Sequence, residues 1–305
     1  MTAVNTRVFV LGGATACGKS GVVQYLAERQ GASILSADAM LVYKGMDIGT
    51  AKPTVAERGR VRYGGIDLAT PAERFTAGLW TGEARRFLTG TEGPVFVTGG
   101  SGLYIKSLTD GFDADEPSPA VREKYRLVFE EEGMDGLRRR LPSEVLSTLA
   151  DPENPRRLQR ALELLETGTV PSRPAVNPPA VFPVLFRSRA VLHKRIEERV
   201  YEMFEMGFER EVEELQRIYP VWSETADKAI GYSEVRAFLA GELTRAEMVE
   251  RTIIRTRQLA KRQDTWFAHQ ADCIRIEAGE NESVESLAKR VLKIWEECGE
   301  TRIRI

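Results

Sequence analysis

A phosphate-binding loop near the amino end is the most specific chemical signal in this sequence. Residues 13–20 read Gly-Ala-Thr-Ala-Cys-Gly-Lys-Ser, which matches the pattern G-x4-G-K-[ST]. The loop lies between a predicted strand, Arg7–Leu11, and a predicted helix, Ser20–Gln30. Glycines let backbone N–H groups converge on an oxyanion, and the helix N-terminus adds a partial positive charge. The residues predicted to bind phosphate are Gly13, Ala14, Thr15, Ala16, Cys17, Gly18, Lys19 and Ser20, with Lys19 as a mobile charge and Ser20 as a Mg²⁺ ligand.

The loop pattern indicates phosphate without indicating which phosphate compound. A nucleotide hydrolase normally adds an acidic residue at the end of a later strand, where it holds the metal. The candidate strand here, Pro94–Thr98, continues into Gly99, Gly100 and Ser101 instead. The sequence therefore argues against an ordinary ATPase.

Three short apolar runs alternate with helical segments, which is typical of an α/β fold. The runs are Arg7–Leu11, Ser33–Ser36 and Pro94–Thr98, and they predict a P-loop NTPase-like parallel sheet with helices on both faces. Ligands of such sheets bind beyond the carboxyl ends of the strands. Asp38 follows the second run and Ser101 the third, so both are expected to face the phosphate loop. A carboxylate there can bind metal or accept a proton. The alternative roles are a helix N-cap or turn residue for Asp38 and a turn residue for Ser101.

The composition changes after Gly111. Residues 112–179 contain nine prolines between short charged segments, which predicts a helical insertion that ends in a proline-rich linker. We place a catalytic core at 1–112 and 181–305 and an arginine-rich insertion at 113–180. Val181–Phe186 is predicted to return to the sheet as a strand, with Pro183 favouring an edge position. Helices are predicted to dominate from there to the carboxyl end.

Two predicted helices of the core carry basic residues in one-sided patterns. In helix 190–206, Arg195 and Arg199 are four residues apart and share one face. They either clamp a phosphate or form solvated pairs with Glu198 and Glu202.

Helix 246–268 is apolar on one side, and its other side carries Arg251, Arg255, Arg257, Lys261 and Arg262 with no acid between Glu250 and Asp264. This face suits a phosphodiester backbone, although an ordinary amphipathic helix is the alternative. Gln263 projects into the apolar arc and requires a hydrogen-bond partner if it is buried.

The composition excludes several classes of protein. The 305 residues are 42% hydrophobic with a net charge of −2 and a mean hydropathy of −0.29, and no run of about 18 apolar residues is present. Three cysteines and two histidines argue against a disulfide framework, a zinc cluster or a multi-histidine site. The amino end lacks a signal-peptide layout, so we expect a cytoplasmic protein. With a near-neutral net charge, any nucleic-acid site must come from local basic surfaces, such as helix 246–268 and a second cluster at Arg156, Arg157 and Arg160.

An ordered set of motifs resembles the tRNA dimethylallyltransferase family, also called tRNA isopentenyltransferases. The motifs follow the family order along residues 8–267 and lie at 13–20, 36–38 with 42–53, 98–104, 154–163, 230–232 and 256–266. The resemblance implies transfer of a dimethylallyl group from its diphosphate to N6 of adenosine 37 in tRNAs that read codons beginning with U. It also implies that the loop and Arg199 hold the diphosphate with Mg²⁺ on Ser20. Catalytic roles are implied for Asp38 as the general base, Ser101 and Lys19.

The resemblance implies a set of tRNA contacts as well. They comprise Asp38, Ala39, Met40, Leu41, Ser101, Arg122, Arg156, Arg157, Leu158, Gln159, Arg160, Lys228, Gly231, Tyr232, Arg255 and Arg262. Several positions depart from the family pattern. Ala39 and Leu41 stand where the family has serine and glutamine, Gly64 and Gly65 replace a histidine pair, and Ser233 replaces a basic residue. These departures bear on acceptor choice more than on reaction type.

Other functions remain open at this point. An adenylate isopentenyltransferase would use a free nucleotide as acceptor, which does not need an extended basic helix. A small-molecule kinase would use the same loop for ATP. A non-catalytic RNA-binding module would need no phosphate loop. The favoured interpretation is a monomeric, membrane-independent enzyme whose partners are tRNA and dimethylallyl diphosphate.

Overall fold

The computed structural model describes residues 6–111, 117–149, 151–169 and 179–304. The chain divides into two compact units, Met1–Phe112 with Pro178–Ile305 and Asp113–Asn177. Most of the predicted proline-rich linker, residues 170–178, lies outside the described residues.

The first unit is built on a six-stranded sheet in which every strand pair is parallel. The strand order is β3-β2-β4-β1-β5-β6. The strands are β1 (Val8–Gly13), β2 (Ser33–Ser36), β3 (Tyr63–Gly64), β4 (Val95–Gly99), β5 (Val181–Phe186) and β6 (Asp272–Glu277). The pairing of Gly12 with Gly99 and of Ser36 with Thr98 brings the carboxyl ends of β1, β2 and β4 to one edge of the sheet.

Helices cover both faces of the sheet, as the fold prediction requires. They are α1 (Lys19–Gln30), α2 (Val55–Arg58), α3 (Ala77–Thr89), α4 (Gly102–Thr109), α8 (Arg189–Glu205), α9 (Phe208–Ile218), α10 (Glu224–Asp227), α11 (Tyr232–Leu239), α12 (Arg245–Gln270) and α13 (Val284–Cys298). Along β1, Val8 and Val10 pack into one core and Phe9 and Leu11 into another, because successive strand residues point to opposite faces. The predicted α/β fold with a parallel sheet covered on both sides is confirmed.

One prediction about the end of the sheet is wrong. β5 is not an edge strand, since it pairs with β1 on one side and β6 on the other. Pro183 is tolerated because pairing with β1 begins only at Val184. Helices dominate the chain after residue 188, as predicted, but Asp272–Glu277 also forms an edge strand, β6, that was not predicted. Only Ile276 of this strand is buried, so its sequence has a weak strand pattern.

The second unit contains α5 (Pro119–Arg140), α6 (Ser143–Thr148) and α7 (Pro155–Glu166) among its described residues. α5 is broken at Gly133, whose φ of 65° is left-handed. α7 begins with Pro155, and the side chain of Asn154 accepts a hydrogen bond from Arg156 N, which satisfies a free N–H of the first turn. Leu137 and Leu158 lie in a core shared by the helices.

Candidate active site

The phosphate loop connects β1 to α1. Gly18 caps α1 with φ 101°, a conformation that side chains with a Cβ rarely adopt. The ammonium group of Lys19 donates to Ala14 O at 3.1 Å and is buried. The Ser20 side chain is exposed in the first turn of the helix. The loop thus places backbone N–H groups, a lysine and a hydroxyl around one helix N-terminus.

Three arginines lie around this loop. Arg195 Nε donates to Ala16 O at 2.9 Å, and Arg187 Nε donates to Cys17 O at 2.8 Å. Arg199 follows one turn after Arg195 on α8. Burial, and then the charge of Arg195, lower the pKa of Arg199, while Cys17, Glu202 and Asp38 act in the opposite direction. The predicted alternative for Arg195, a solvated pair with an acid of its own helix, does not occur.

The charge around the loop is unbalanced. Within the described part of the chain, no carboxylate lies within 4.0 Å of the cationic nitrogens of Lys19, Arg187, Arg195 or Arg199. Partly buried cations without an acid are costly unless an anion joins them. The arrangement is therefore suited to binding an anion.

Sequence reasoning did not identify Arg187 as part of this site. It lies directly after β5, at the carboxyl end of a strand of the parallel sheet, where ligands of such sheets bind. Asp38 and Ser101 were selected because they follow predicted strands. Arg187 also follows a predicted strand, Val181–Phe186, so the same rule could have identified it.

The ends of β2 and β4 bring Asp38 and Ser101 together. Ala39 N donates to Ser101 Oγ at 2.9 Å, and Ser101 N donates to Ala37 O at 3.1 Å. Met40 N donates to Asp38 Oδ1 at 2.9 Å. Ser101 is the N-cap residue of α4, but its hydroxyl makes no cap hydrogen bond and binds the Asp38 loop instead. Met40 N thus orients the carboxylate through Oδ1, and the contacts with Ser101 fix the segment that carries it to the end of β4.

Glycines of the 98–104 motif permit this close approach. A Cβ at Gly99 would overlap Ala37 O, one at Gly100 would overlap Gln263 Nε2, and one at Gly102 would overlap the Trp266 ring. The motif is therefore needed to pack the β4 end against both β2 and α12.

Gln263 connects the phosphate loop to the β4 end. Its Oε1 accepts from Thr15 N at 2.8 Å, and its Nε2 donates to Gly100 O at 3.1 Å. The prediction that this residue needs a hydrogen-bond partner is confirmed, and the structure supplies two. α12 thereby fixes the distance between the phosphate loop and the segment that carries Ser101.

The predicted basic face of α12 is partly neutralised by acids of neighbouring helices. Arg255 forms an ion pair with Glu234 of α11, and Arg257 forms one with Glu197 of α8 at 2.7 Å. Acids on neighbouring helices cannot be seen in the helix's own sequence. Exposed basic groups remain at Arg251, Lys261 and Arg262, and a shallow cleft of about 350 Å³ is lined by Gln258, Lys261, Arg262 and Thr265.

The other predicted tRNA contacts in the core differ in accessibility. Ala39, Met40 and Leu41 are half-buried beside Asp38. Lys228 is exposed and paired with Glu224. Gly231 N donates to Glu234 Oε2 at 2.8 Å. Tyr232 is fully buried, and its hydroxyl donates to Glu211 Oε1 at 2.6 Å, so the Tyr232 side chain has a structural role.

Predicted contacts in the second unit lie on α5 and α7. Arg122 is in the first turn of α5. Leu158 is fully buried, so its side chain anchors α7 instead of offering a surface. Gln159 Nε2 donates to Tyr125 O at 3.3 Å, and Arg157 is exposed. Arg156 and Arg160 both pair with the buried carboxylate of Glu163, which holds them on one side of the helix.

Neither a metal cluster nor a membrane span is found in the described residues. No group of three or more His, Cys, Asp or Glu side chains there is arranged to hold a metal ion. No described helix combines the length and apolar character needed to cross a bilayer.

Comparisons with known proteins place these features in a family. A sequence model of the IPP transferase family matches residues 41–270. A tRNA dimethylallyltransferase of a Nocardioides species is 38% identical over 276 residues, which cover 86% of this chain and 88% of the relative. The tRNA dimethylallyltransferase 2 of Syntrophus aciditrophicus is 36% identical over 301 residues, covering 94% and 97%.

A solved structure supports the same assignment. The crystal structure of a tRNA delta(2)-isopentenylpyrophosphate transferase from Staphylococcus epidermidis matches with a TM-score of 0.70 and 27% identity, covering 97% of this chain and 100% of that chain. Similarity in sequence and in structure extends over nearly the whole chain. The chain therefore belongs to the tRNA dimethylallyltransferase (IPP transferase) family.

Proposed function

We propose that this protein transfers a dimethylallyl group from dimethylallyl diphosphate to N6 of adenosine 37 in tRNAs that read codons beginning with U. One observation carries the proposal: an anion site rich in cations and a fixed carboxylate, Asp38, share one edge of the sheet. The first suits a diphosphate and the second suits proton removal from a purine amine.

The phosphate loop would bind the leaving group. During transfer, the bond between C1 of the allyl group and the diphosphate oxygen breaks, and its electron pair stays on the diphosphate. Lys19, Arg195 and Arg199 surround the loop and would face this negative charge as it develops. Charges fixed before the reaction stabilise such a transition state without further reorganisation. The unbalanced positive charge of the site thus has a catalytic use.

Asp38 would accept the proton. A bond forms between N6 and C1 of the allyl group, and the N6 proton passes to the carboxylate, leaving N6-dimethylallyladenosine and pyrophosphate. Asp38 Oδ1 is held by Met40 N, and Oδ2 has no hydrogen-bond donor among the residues that the structure describes. A general base must approach the proton it takes to within about 3 Å, and Oδ2 is the oxygen available for that contact.

The site suits a Mg²⁺ ion that binds together with the diphosphate. Ser20 offers an exposed hydroxyl at the start of α1, and Mg²⁺ commonly combines few protein ligands with substrate phosphates and waters. When bound, the metal would neutralise part of the diphosphate charge. We propose Ser20 as its protein ligand.

The acceptor would be a base in a single-stranded RNA loop, where RNA sequence is usually read. Its target base must leave the stack to reach an enclosed site. Arg262 and Lys261 on α12 and Arg157 on α7 are exposed and suit phosphate contacts. We propose a monomer that acts in the cytoplasm.

The test is transfer of labelled dimethylallyl diphosphate to unmodified tRNA. We expect label in tRNA, released pyrophosphate and modification at adenosine 37 by nuclease mapping. AMP offered in the same reaction should remain unlabelled. Label in AMP alone would favour an adenylate isopentenyltransferase, and ATP consumption with a phosphorylated product would favour a kinase. Either result, or folded protein that leaves tRNA unlabelled, contradicts the proposal.

A further inference from the structure

We infer that Arg187 binds the diphosphate directly and forms, together with Arg195, a fork of two guanidinium groups over Gly18. The inference rests on the proposed function and extends it by assigning a donor-binding residue that the family motifs in this sequence do not contain. It makes the residue after β5 part of the leaving-group site.

The guanidinium of Arg187 is held in one orientation by backbone carbonyls. Nε donates to Cys17 O at 2.8 Å, and Nη1 donates to Gly279 O at 2.5 Å and to Glu280 O at 3.4 Å. The residue is only 8% exposed. A long flexible side chain is thus already fixed beside the phosphate loop, so little side-chain entropy remains to be lost on binding.

The third nitrogen of Arg187, Nη2, lies close to Gly18 of the phosphate loop. A Cβ built on Gly18 would lie 3.6 Å from Arg187 Nη2 and 4.0 Å from Arg195 Nη2. Neither Nη2 atom has a hydrogen-bond acceptor within the described part of the chain. Two N–H donors from different guanidinium groups therefore flank one point above the loop, an arrangement suited to a phosphate oxygen.

The electrostatics favour an anion at this point. Burial, followed by the charge of Arg195, lowers the pKa of Arg187. A buried arginine with a purely structural role usually pairs with an acid, whereas the partners of Arg187 are three carbonyl groups. An anion between the two guanidinium groups would relieve their repulsion. Arg187 should accordingly affect the donor and the pyrophosphate product but not tRNA.

The test is calorimetric titration of inorganic pyrophosphate into the full-length protein and its variants. We expect Arg187→Gln to weaken pyrophosphate binding by roughly 10- to 100-fold, the usual effect of losing a hydrogen bond to a charged group. Arg187→Lys keeps the charge but loses the fork, so an intermediate loss of at least about fivefold is expected. Arg189→Gln removes an exposed arginine two residues away and should leave the dissociation constant within twofold.

Thermal unfolding of the same variants separates binding from a structural role. A lower melting temperature in Arg187→Gln with unchanged pyrophosphate affinity would overturn the inference. If Arg187→Gln does not fold, Arg187→Lys decides: wild-type affinity in that variant would overturn the inference too. Labelled transfer by the wild-type protein judges the proposed function separately. If the wild-type protein transfers label to tRNA and Arg187→Gln binds pyrophosphate as tightly as wild type, only the role of Arg187 is refuted.

Discussion

Replacing Gln263 by alanine should loosen the active site at a defined point. The side chain joins two segments that are distant in sequence, through Thr15 N and Gly100 O. Each hydrogen bond contributes about 1 kcal/mol net. Since the alanine variant leaves the buried Gly100 carbonyl unpaired, we expect a loss of about 2 kcal/mol in the free energy of unfolding.

The same change should impair use of the donor. Without Gln263, the phosphate loop is no longer held at a fixed distance from the segment that carries Ser101. Misplacement of reacting groups by a fraction of an ångström to an ångström is costly in rate, and we expect kcat/KM for dimethylallyl diphosphate to fall roughly 10-fold. Chemical denaturation and steady-state kinetics with saturating tRNA measure the two effects.

Matched variants identify the cause. Gln258→Ala removes the same functional group from an exposed position of the same helix and should change neither value. Gln263→Glu keeps the acceptor for Thr15 N but places a carboxylate oxygen against Gly100 O, so it should be no more stable than Gln263→Ala and should impair use of the donor at least as much. If Gln263→Ala and Gln258→Ala show the same free energy of unfolding and the same kinetics with the donor, the hydrogen bonds of Gln263 do not position the phosphate loop.

Three further predictions follow from individual contacts. Ser101→Ala removes the acceptor of Ala39 N and should slow single-turnover transfer by roughly 10-fold. Ser101→Thr keeps the hydroxyl and should transfer at the wild-type rate. Equal rates for the two variants would refute the role of this contact. Arg262→Ala should weaken tRNA binding and reduce the slope of log affinity against log salt concentration by about 1, without changing stability. Arg255→Ala leaves the buried Glu234 without its ion pair and should lower the free energy of unfolding by about 1–3 kcal/mol. The reverse pattern in the two variants would contradict this pairing. Burial raises the pKa of Asp264 to about 6, so the folded state loses stability as pH rises from about 4 to above 6. Asp264→Asn should therefore unfold with a free energy about 1–2 kcal/mol higher than wild type at pH 7.5, allowing for partial exposure, and should equal wild type near pH 4. A difference in denaturation that does not change with pH would refute the pKa shift.

Local patterns predicted the parts of the site that are continuous in sequence. The phosphate loop follows from its spacing between a strand and a helix. The proximity of Asp38 and Ser101 follows from a topological rule, because parallel strands end at the same edge of the sheet. For Gln263, the helical period predicted a polar side chain on the apolar side of the helix. It did not predict the hydrogen-bond partners, Thr15 N and Gly100 O.

Contacts between distant segments were not predictable in this way. Glu234 and Glu197 neutralise Arg255 and Arg257 from helices whose packing against α12 is not encoded in the α12 pattern. Likewise, β6 becomes a strand through pairing with β5, since its alternation of partly exposed residues gives little local signal.

The position of Arg187 depends on both kinds of information. Its place after a strand was visible in the sequence, but the carbonyls that orient it belong to residues 17, 279 and 280. Such a contact arises only when the amino-terminal loop and the segment after β6 meet in the folded chain.

Single-turnover transfer by Asp38→Asn tests the central mechanism most directly. Asparagine keeps an oxygen for Met40 N, so the loop geometry is preserved while the base is removed. With saturating donor and tRNA, we predict a rate roughly 10²–10⁴-fold below wild type and unchanged pyrophosphate affinity. A variant that transfers the allyl group at the wild-type rate would contradict the assignment of Asp38 as proton acceptor.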